Sequence, residues 1–253
     1  AAARLARAMS AWSALAAELA GWRAAGRTPD LWWRDDDAAE LTPALERLLA
    51  LSQASGVPLA LAAVPQAAQR DALAAARCVL MHGCDHRNRA ASGEKKTEFP
   101  ASESDAAALT RLAAARERLA GLAGERFLPV LAPPWNRIRE GLIARLPEAG
   151  LRALSRYGAR RGSGLPEVNT HVDLIAWRSG RQFIGEAAAL GLVLCHLAQR
   201  RDGAVDSREP TGILSHHAVH DAGAWRFLER LFDETRAAGA VWADPKQLFA
   251  LRA

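Results

Sequence analysis

Cysteine is scarce in this 253-residue chain: Cys78, Cys84 and Cys195 are odd in number and none stands in a C-x-x-C spacing. That excludes a disulfide framework and points to free thiols in a reducing compartment. Long apolar runs are missing too. No stretch approaches the roughly eighteen consecutive apolar residues of a membrane span, and Arg4 and Arg7 interrupt the start. A soluble chain is expected, cytoplasmic by default, with no membrane partner. Lysine is rare, so the excess of 33 basic over 28 acidic residues, a net charge of +5, rests on arginines scattered through helical stretches. A nucleic-acid footprint would gather them in one stripe, so no nucleic-acid partner is expected.

What is present suits one α/β domain spanning residues 1–253, since 50% hydrophobic and 24% charged residues exclude disorder and support a sizeable core. Neither an internal repeat nor an interdomain linker is visible. Leu5, Met9, Trp12, Leu15, Leu19 and Trp22 recur at helical spacing, which predicts an amphipathic packing helix rather than a signal peptide. Beyond it, strand-like runs alternate with helical patterns. Strands are predicted at 31–34, 57–64, 78–82, 127–131, 151–155, 212–215 and 241–242; helices are predicted at 42–55, 66–77, 102–122, 138–149, 183–200 and 222–238. About seven β-then-α units imply parallel strands covered by helices, hence a distorted (β/α) barrel with its active groups beyond the strand ends.

Two features carry chemistry. Asp35, Asp36 and Asp37 stand in a row at the end of a predicted strand, where adjacent carboxylates repel unless a cation or a proton-transfer role compensates. His82 and His86 are spaced H-x-x-x-H, and on a helical turn they would point the same way. One carboxylate with two imidazoles suits zinc or a similar borderline divalent ion and leaves positions open for water and substrate. Alone, the aspartate run could equally be a helix entrance ahead of Thr42 and Pro43. A rival metal pair is offered by His216 and His220.

These blocks, in order, resemble the polysaccharide deacetylases with the NodB-homology domain, over most of the chain from Trp32 to about Asp221. They are R-D-D-D-A at 34–38, H-G-C-D-H at 82–86, A-P-P-W-N at 132–136, V-D-L-I-A-W at 172–177 and L-S-H at 214–216. Each block alone is weak, but their order and strand-end context are more specific. The resemblance implies a NodB-like barrel and removal of an acetyl group from an N-acetylated sugar or saccharide with one divalent metal ion. Zinc is expected first, with cobalt, nickel or manganese as alternatives. It implies Asp37, His82 and His86 as metal ligands, Asp36 or Asp35 as the base, and the N–H of Trp135 as an oxyanion donor. His216 would be the acid, with His217 its neighbour and competitor.

Arg34, Pro134, Trp135 and Asn136 are expected on the substrate side; of the tryptophans, Trp135 is the better cleft candidate, while Trp32 and Trp33 should point to opposite sides of their strand. Two positions depart from the family's pattern. The third block's arginine is Ala132 here, with Arg34 or Arg137 as replacements; the fourth block's second carboxylate is Ala176, with Asp173 or Asp221 as replacements. Those departures keep two other functions open: a hydrolase of a non-sugar amide or imide, and a degenerate metal- or glycan-binding relative with little turnover. The partner is a small molecule or glycan, and the sequence leaves the oligomeric state open.

Overall fold

In the computed structural model, which describes residues 10–162 and 164–249, helices and strands alternate along the chain. Helix α1 (Ala11–Ala24) is capped by Ser10, whose hydroxyl accepts the Ser13 N–H, and it buries Trp12, Leu15, Leu19 and Trp22. Leu5 and Met9, expected on the same face, lie outside the described residues. Then come β1 (Asp30–Ala38), α2 (Pro43–Ser55), β2 (Leu59–Ala63), α3 (Arg70–Ala74), β3 (Cys78–Met81), α4 (Asp105–Ala123), β4 (Phe127–Leu131), α5 (Glu140–Ile143) and β5 (Ala153–Leu154). The second half holds β6 (Val172–Asp173), β7 (Ile175–Ala176), β8 (Gln182–Phe183), α6 (Glu186–Arg201), β9 (Thr211–Ser215), α7 (Ala222–Ala237), β10 (Val241–Trp242) and α8 (Pro245–Phe249).

Seven strands lie side by side in the order β5-β4-β3-β2-β1-β9-β6, with β10 added at the start of β1, and every pairing in this sheet is parallel. Residues 167–173 close the ring. Their first half bridges to the strand leaving β5 through Leu154–Glu167 and Tyr157–Thr170, and their second half pairs with β9. The sheet is therefore the expected distorted barrel, closed by a segment the apolar pattern did not mark.

Strand alternation sorts the side chains of β1. Trp32 faces the narrow interior with Ala60, Ala62, Cys78, Leu80, Val130, Ala132 and Ala153. Leu31 and Trp33 face the helices, in the larger core that includes Leu15, Leu45, Leu112, Leu228 and Phe232. Two predicted helices are shorter than expected. Residues 66–69 stay out of α3 because the Gln66 and Gln69 N–H groups donate instead to Cys84 O (3.0 Å) and Ala39 O (2.9 Å). The helix expected over 138–149 breaks into α5 and a 3-10 turn at Leu146–Ala149, opened by Pro147. No helix among the described residues is long and apolar enough to cross a membrane.

Candidate active site

The three aspartates lie within β1 rather than beyond it, and alternation alone would turn Asp35 and Asp37 to one side. Asp37 breaks that pattern. Its φ is +74°, and the pairing of β1 with β2 shifts register between Asp35 and Ala38. This bulge re-aims the Asp37 side chain toward the mouth of the barrel, beside Asp36. Asp35 stays on the helix side, accepting bonds from Ser215 Oγ (2.5 Å), the His217 N–H (3.0 Å) and His217 Nδ1 (2.5 Å). Burial would raise its pKa, but the His217 imidazole outweighs that and holds the carboxyl below its usual range.

Arg34 points into the barrel and is 0% exposed. Its Nε and Nη2 donate to the two oxygens of Asp36 (2.8 and 3.0 Å), Nη1 to Ser155 O and Oγ (2.9 and 2.6 Å), and Nη2 also to Asn136 Oδ1 (2.8 Å). Every N–H of the guanidinium is used. Of the two replacements expected for the arginine absent at Ala132, Arg34 is the one paired with Asp36, and against the expectation that it lines the substrate side, it has no exposed surface. Pro134 is corrected likewise, because it is buried and packs against Gly83.

His82 follows β3, and its N–H donates to Ala63 O (2.8 Å). The expected helical turn from His82 to His86 is absent: the segment is a loop, with Gly83 at φ +63° and His86 at φ +56°. The imidazoles meet all the same. His82 Nε2 and His86 Nε2 lie 3.1 and 3.2 Å from Asp37 Oδ1, and the three residues offer ligand atoms within 4.8 Å of one another. Through Nδ1, His82 donates to Ala132 O (2.9 Å), which turns Nε2 toward the carboxylate oxygen of Asp37. Two imidazoles and one carboxylate converging on one point fit a divalent metal ion, and in its absence a proton on His82 bridges to Asp37. Burial would lower the His82 pKa, but Asp36 and Asp37 raise it; Asp37 is held well below the carboxylate range, while burial and His82 lower His86. Cys84, buried between the histidines, has its thiol pushed up by burial and by Glu98, and its sulfur is not among the ligand atoms that converge with Asp37, His82 and His86.

A second group, His171, His196 and Glu209, also converges within 4.8 Å, at the ends where β6 and β9 begin. Its imidazoles are stacked, with centroids 3.5 Å apart and planes 18° apart, and His171 Nδ1 accepts the Gly212 N–H (3.1 Å). Lone pairs of stacked rings run side by side, and an accepting Nδ1 leaves the proton on His171 Nε2, which argues against ligation, although His171 Nε2, His196 Nε2 and Glu209 Oε1 are buried with no hydrogen-bond partner. His216 and His220 join no third ligand within that distance among the described residues, and His220 packs edge-on to Trp225.

Opposite the histidine pair, His216 Nε2 lies 4.0 Å from Asp36 Oδ2 and Nδ1 lies 3.9 Å from Asp173 Oδ1. Asp173 is fixed by the Ile175 N–H (3.0 Å) and Trp177 Nε1 (2.8 Å), and the exposed Trp177 stands edge-on to His216. Of the two proposed stand-ins for Ala176, Asp173 is therefore the one beside His216; Asp221 caps α7 through the Ala224 N–H. Trp135 and Asn136 are half-buried at φ +55° and +56°, with the Trp135 ring 4.7 Å from His86. The hydrogen bonds of their turn come from Asn136 and Arg137, not from the Trp135 N–H. Of the groups gathered here, the Asp35–His217–Ser215 cluster escaped sequence reasoning; the paired histidines at 216–217 were its one trace.

No family model matches the sequence, and no curated protein matches it. Solved structures match in shape. A protein from Mycobacterium smegmatis assigned to the polysaccharide deacetylases superposes with a TM-score of 0.63 at 17% identity, covering 89% of this chain and 90% of that one. The Bc1960 peptidoglycan N-acetylglucosamine deacetylase gives 0.56 at 14% identity over 88% and 89%. A cobalt-bound family 4 acetyl xylan esterase from Clostridium thermocellum gives 0.52 at 14% over 88% and 91%. At these identities the likeness is one of fold. The chain has the fold of the polysaccharide deacetylases, the NodB-homology family that its five sequence blocks resemble.

Proposed function

We propose that this chain is a metal-dependent hydrolase that removes the acetyl group from an N-acetylated sugar or saccharide. The observation that carries the reading is the meeting of Asp37, His82 and His86 at one point of the barrel mouth, with His216 Nε2 4.0 Å from Asp36 Oδ2 nearby. Bound there, a divalent ion, zinc first, would supply Lewis acidity toward the amide carbonyl and acidify a water. Asp36, held in a fixed orientation by Arg34, takes the proton of the attacking water. The Trp135 N–H donates to the oxygen that gains charge as the carbonyl carbon becomes tetrahedral. His216, steadied by Asp173, gives a proton to the nitrogen as the C–N bond breaks, releasing acetate and a free amine. Asp35 serves as an anchor for His217 rather than as the base.

The first test is elemental analysis of the purified chain. One equivalent of metal, abolished in His82→Ala and His86→Ala without loss of folding, is expected; a folded chain that takes up no metal on reconstitution overturns the reading. Acetate release from N-acetylglucosamine oligomers, set against ammonia or ring-opening from cyclic imides, decides the substrate class. A second reading, a metal-binding relative with little turnover, is favoured by Ala132 and Ala176 and is dismissed by turnover that Asp36→Asn abolishes.

A further inference from the structure

The loop that carries the two histidines has a buried post under it. Between His82 and His86 the chain has no regular structure, and left-handed backbone at Gly83 and His86 turns it sharply at both ends. His82 is tied to β2 through its N–H. His86 has no such tie. Two of the three backbone N–H groups between them go to one carboxylate oxygen: Glu98 Oε1 accepts from Cys84 (2.8 Å) and Asp85 (3.3 Å). Glu98 is 0% exposed, and Arg111 Nη1 donates to the same oxygen (3.2 Å) while Nη2 donates to Glu98 O (3.2 Å). Arg111 is in turn clamped by Glu103 through two further bonds (2.8 and 2.9 Å).

Gly83 explains why the post can stand so close. A Cβ there would meet Glu98 Oε2 and sit 2.6 Å from the ring carbons of Pro134, in a backbone conformation that side chains rarely adopt. Oε2 is buried with no hydrogen-bond partner of its own. Burying a carboxylate is costly, and a position that needs only a packing residue would not carry one. What Glu98 supplies that an apolar residue cannot is an acceptor for two adjacent amides between the histidines; on the far side of His86, Asp85 Oδ1 accepts the Arg87 N–H (3.1 Å).

We infer that Glu98 is a positioning residue for the metal centre: by accepting the Cys84 and Asp85 amides it sets where His86 stands relative to His82 and Asp37. The inference rests on the metal reading above. Partners of this kind behind metal ligands are worth about 10–100-fold in metal affinity, and here the partner grips the ligand's loop rather than its ring. The effect should fall on His86, since His82 is held by its own backbone and by Ala132.

The test measures zinc affinity by competition with a chromophoric chelator, and the visible spectrum after cobalt substitution, on the whole chain. Glu98→Ala and the shorter Glu98→Asp are both expected to weaken zinc binding by about tenfold or more and to alter the cobalt bands. Glu98→Gln keeps an acceptor oxygen and is expected to restore affinity to within about threefold, since the amides rather than the charge are being held. Glu103→Gln, which loosens the same Arg111 without touching the loop, should leave affinity and spectrum unchanged. If Glu98→Ala does not fold, Glu98→Asp carries the test. Unaltered affinity in a folded Glu98→Ala or Glu98→Asp, failure of Glu98→Gln to restore it, or an equal loss in Glu103→Gln overturns the inference. Absence of metal binding by the unaltered chain overturns instead the metal reading on which it rests.

Discussion

Asp35, Asp36 and Asp37 are consecutive in the chain and face three different surroundings: a buried imidazole, a buried guanidinium and the histidine pair. Side-chain alternation separates the first two, and only the φ of +74° at Asp37 separates the third from the first. That turn was not legible, because D-D-D-A contains no glycine to mark left-handed backbone and alternation pairs Asp35 with Asp37. Strain of this sort gathers at the site: Asp37, His86, Trp135 and Asn136 are four of the five non-glycine residues with positive φ among the described residues. Two substitutions separate the aspartates. Asp36→Asn is expected to lower kcat by about 10²–10⁴-fold. Asp35→Asn should keep turnover within about tenfold yet lower stability by about 1–3 kcal/mol, because one of the two oxygens that serve Ser215, the His217 N–H and His217 Nδ1 becomes an NH2 group facing donors; steady-state kinetics with urea unfolding check both.

Among the elements, the strands and the five motif blocks were readable because burial on both faces gives parallel strands continuous apolar runs. The segment 167–173 was not. Its sequence E-V-N-T-H-V-D interleaves polar residues that serve the interior, where the Asn169 carbonyl accepts from Trp32 Nε1 and Asn169 Oδ1 from the Arg156 N–H. The replacement for Ala176 was legible only as a choice between Asp173 and Asp221. The structure separates them by element, since Asp221 caps α7 and also accepts the Phe183 N–H (3.1 Å) of β8. Asp221→Ala should therefore cost about 0.5–2 kcal/mol in unfolding and leave kcat close to that of the unaltered chain. Asp173→Asn should reverse that pattern, with a loss in kcat of about tenfold and little change in the unfolding midpoint.

Taken as a whole, the barrel gathers the His82–His86 pair at the strand ends where β1 and β3 finish and a second, stacked pair where β6 and β9 begin. Burial, His171 and Arg200 lower the His196 pKa from an ordinary 6.5 to about 3. The sign follows from proton counting. Below about 6.5 the unfolded chain takes up a proton that folded His196 refuses until about pH 3, so its contribution to stability is lost as pH falls through that window. His196→Gln should gain stability relative to the unaltered chain between pH 7.5 and pH 5, read as a narrowing gap in urea midpoints. A gap that stays constant across that range counts against a neutral, buried His196.

Arg34 spends every donor it has inside the barrel, and the two oxygens of Asp36 are what balance it. Neutralising Asp36 would strand a cation where no solvent reaches it. An inert form for trapping a bound saccharide is therefore better made at His216, because its neighbours keep other donors: Asp36 keeps Arg34, and Asp173 keeps the Ile175 N–H and Trp177 Nε1.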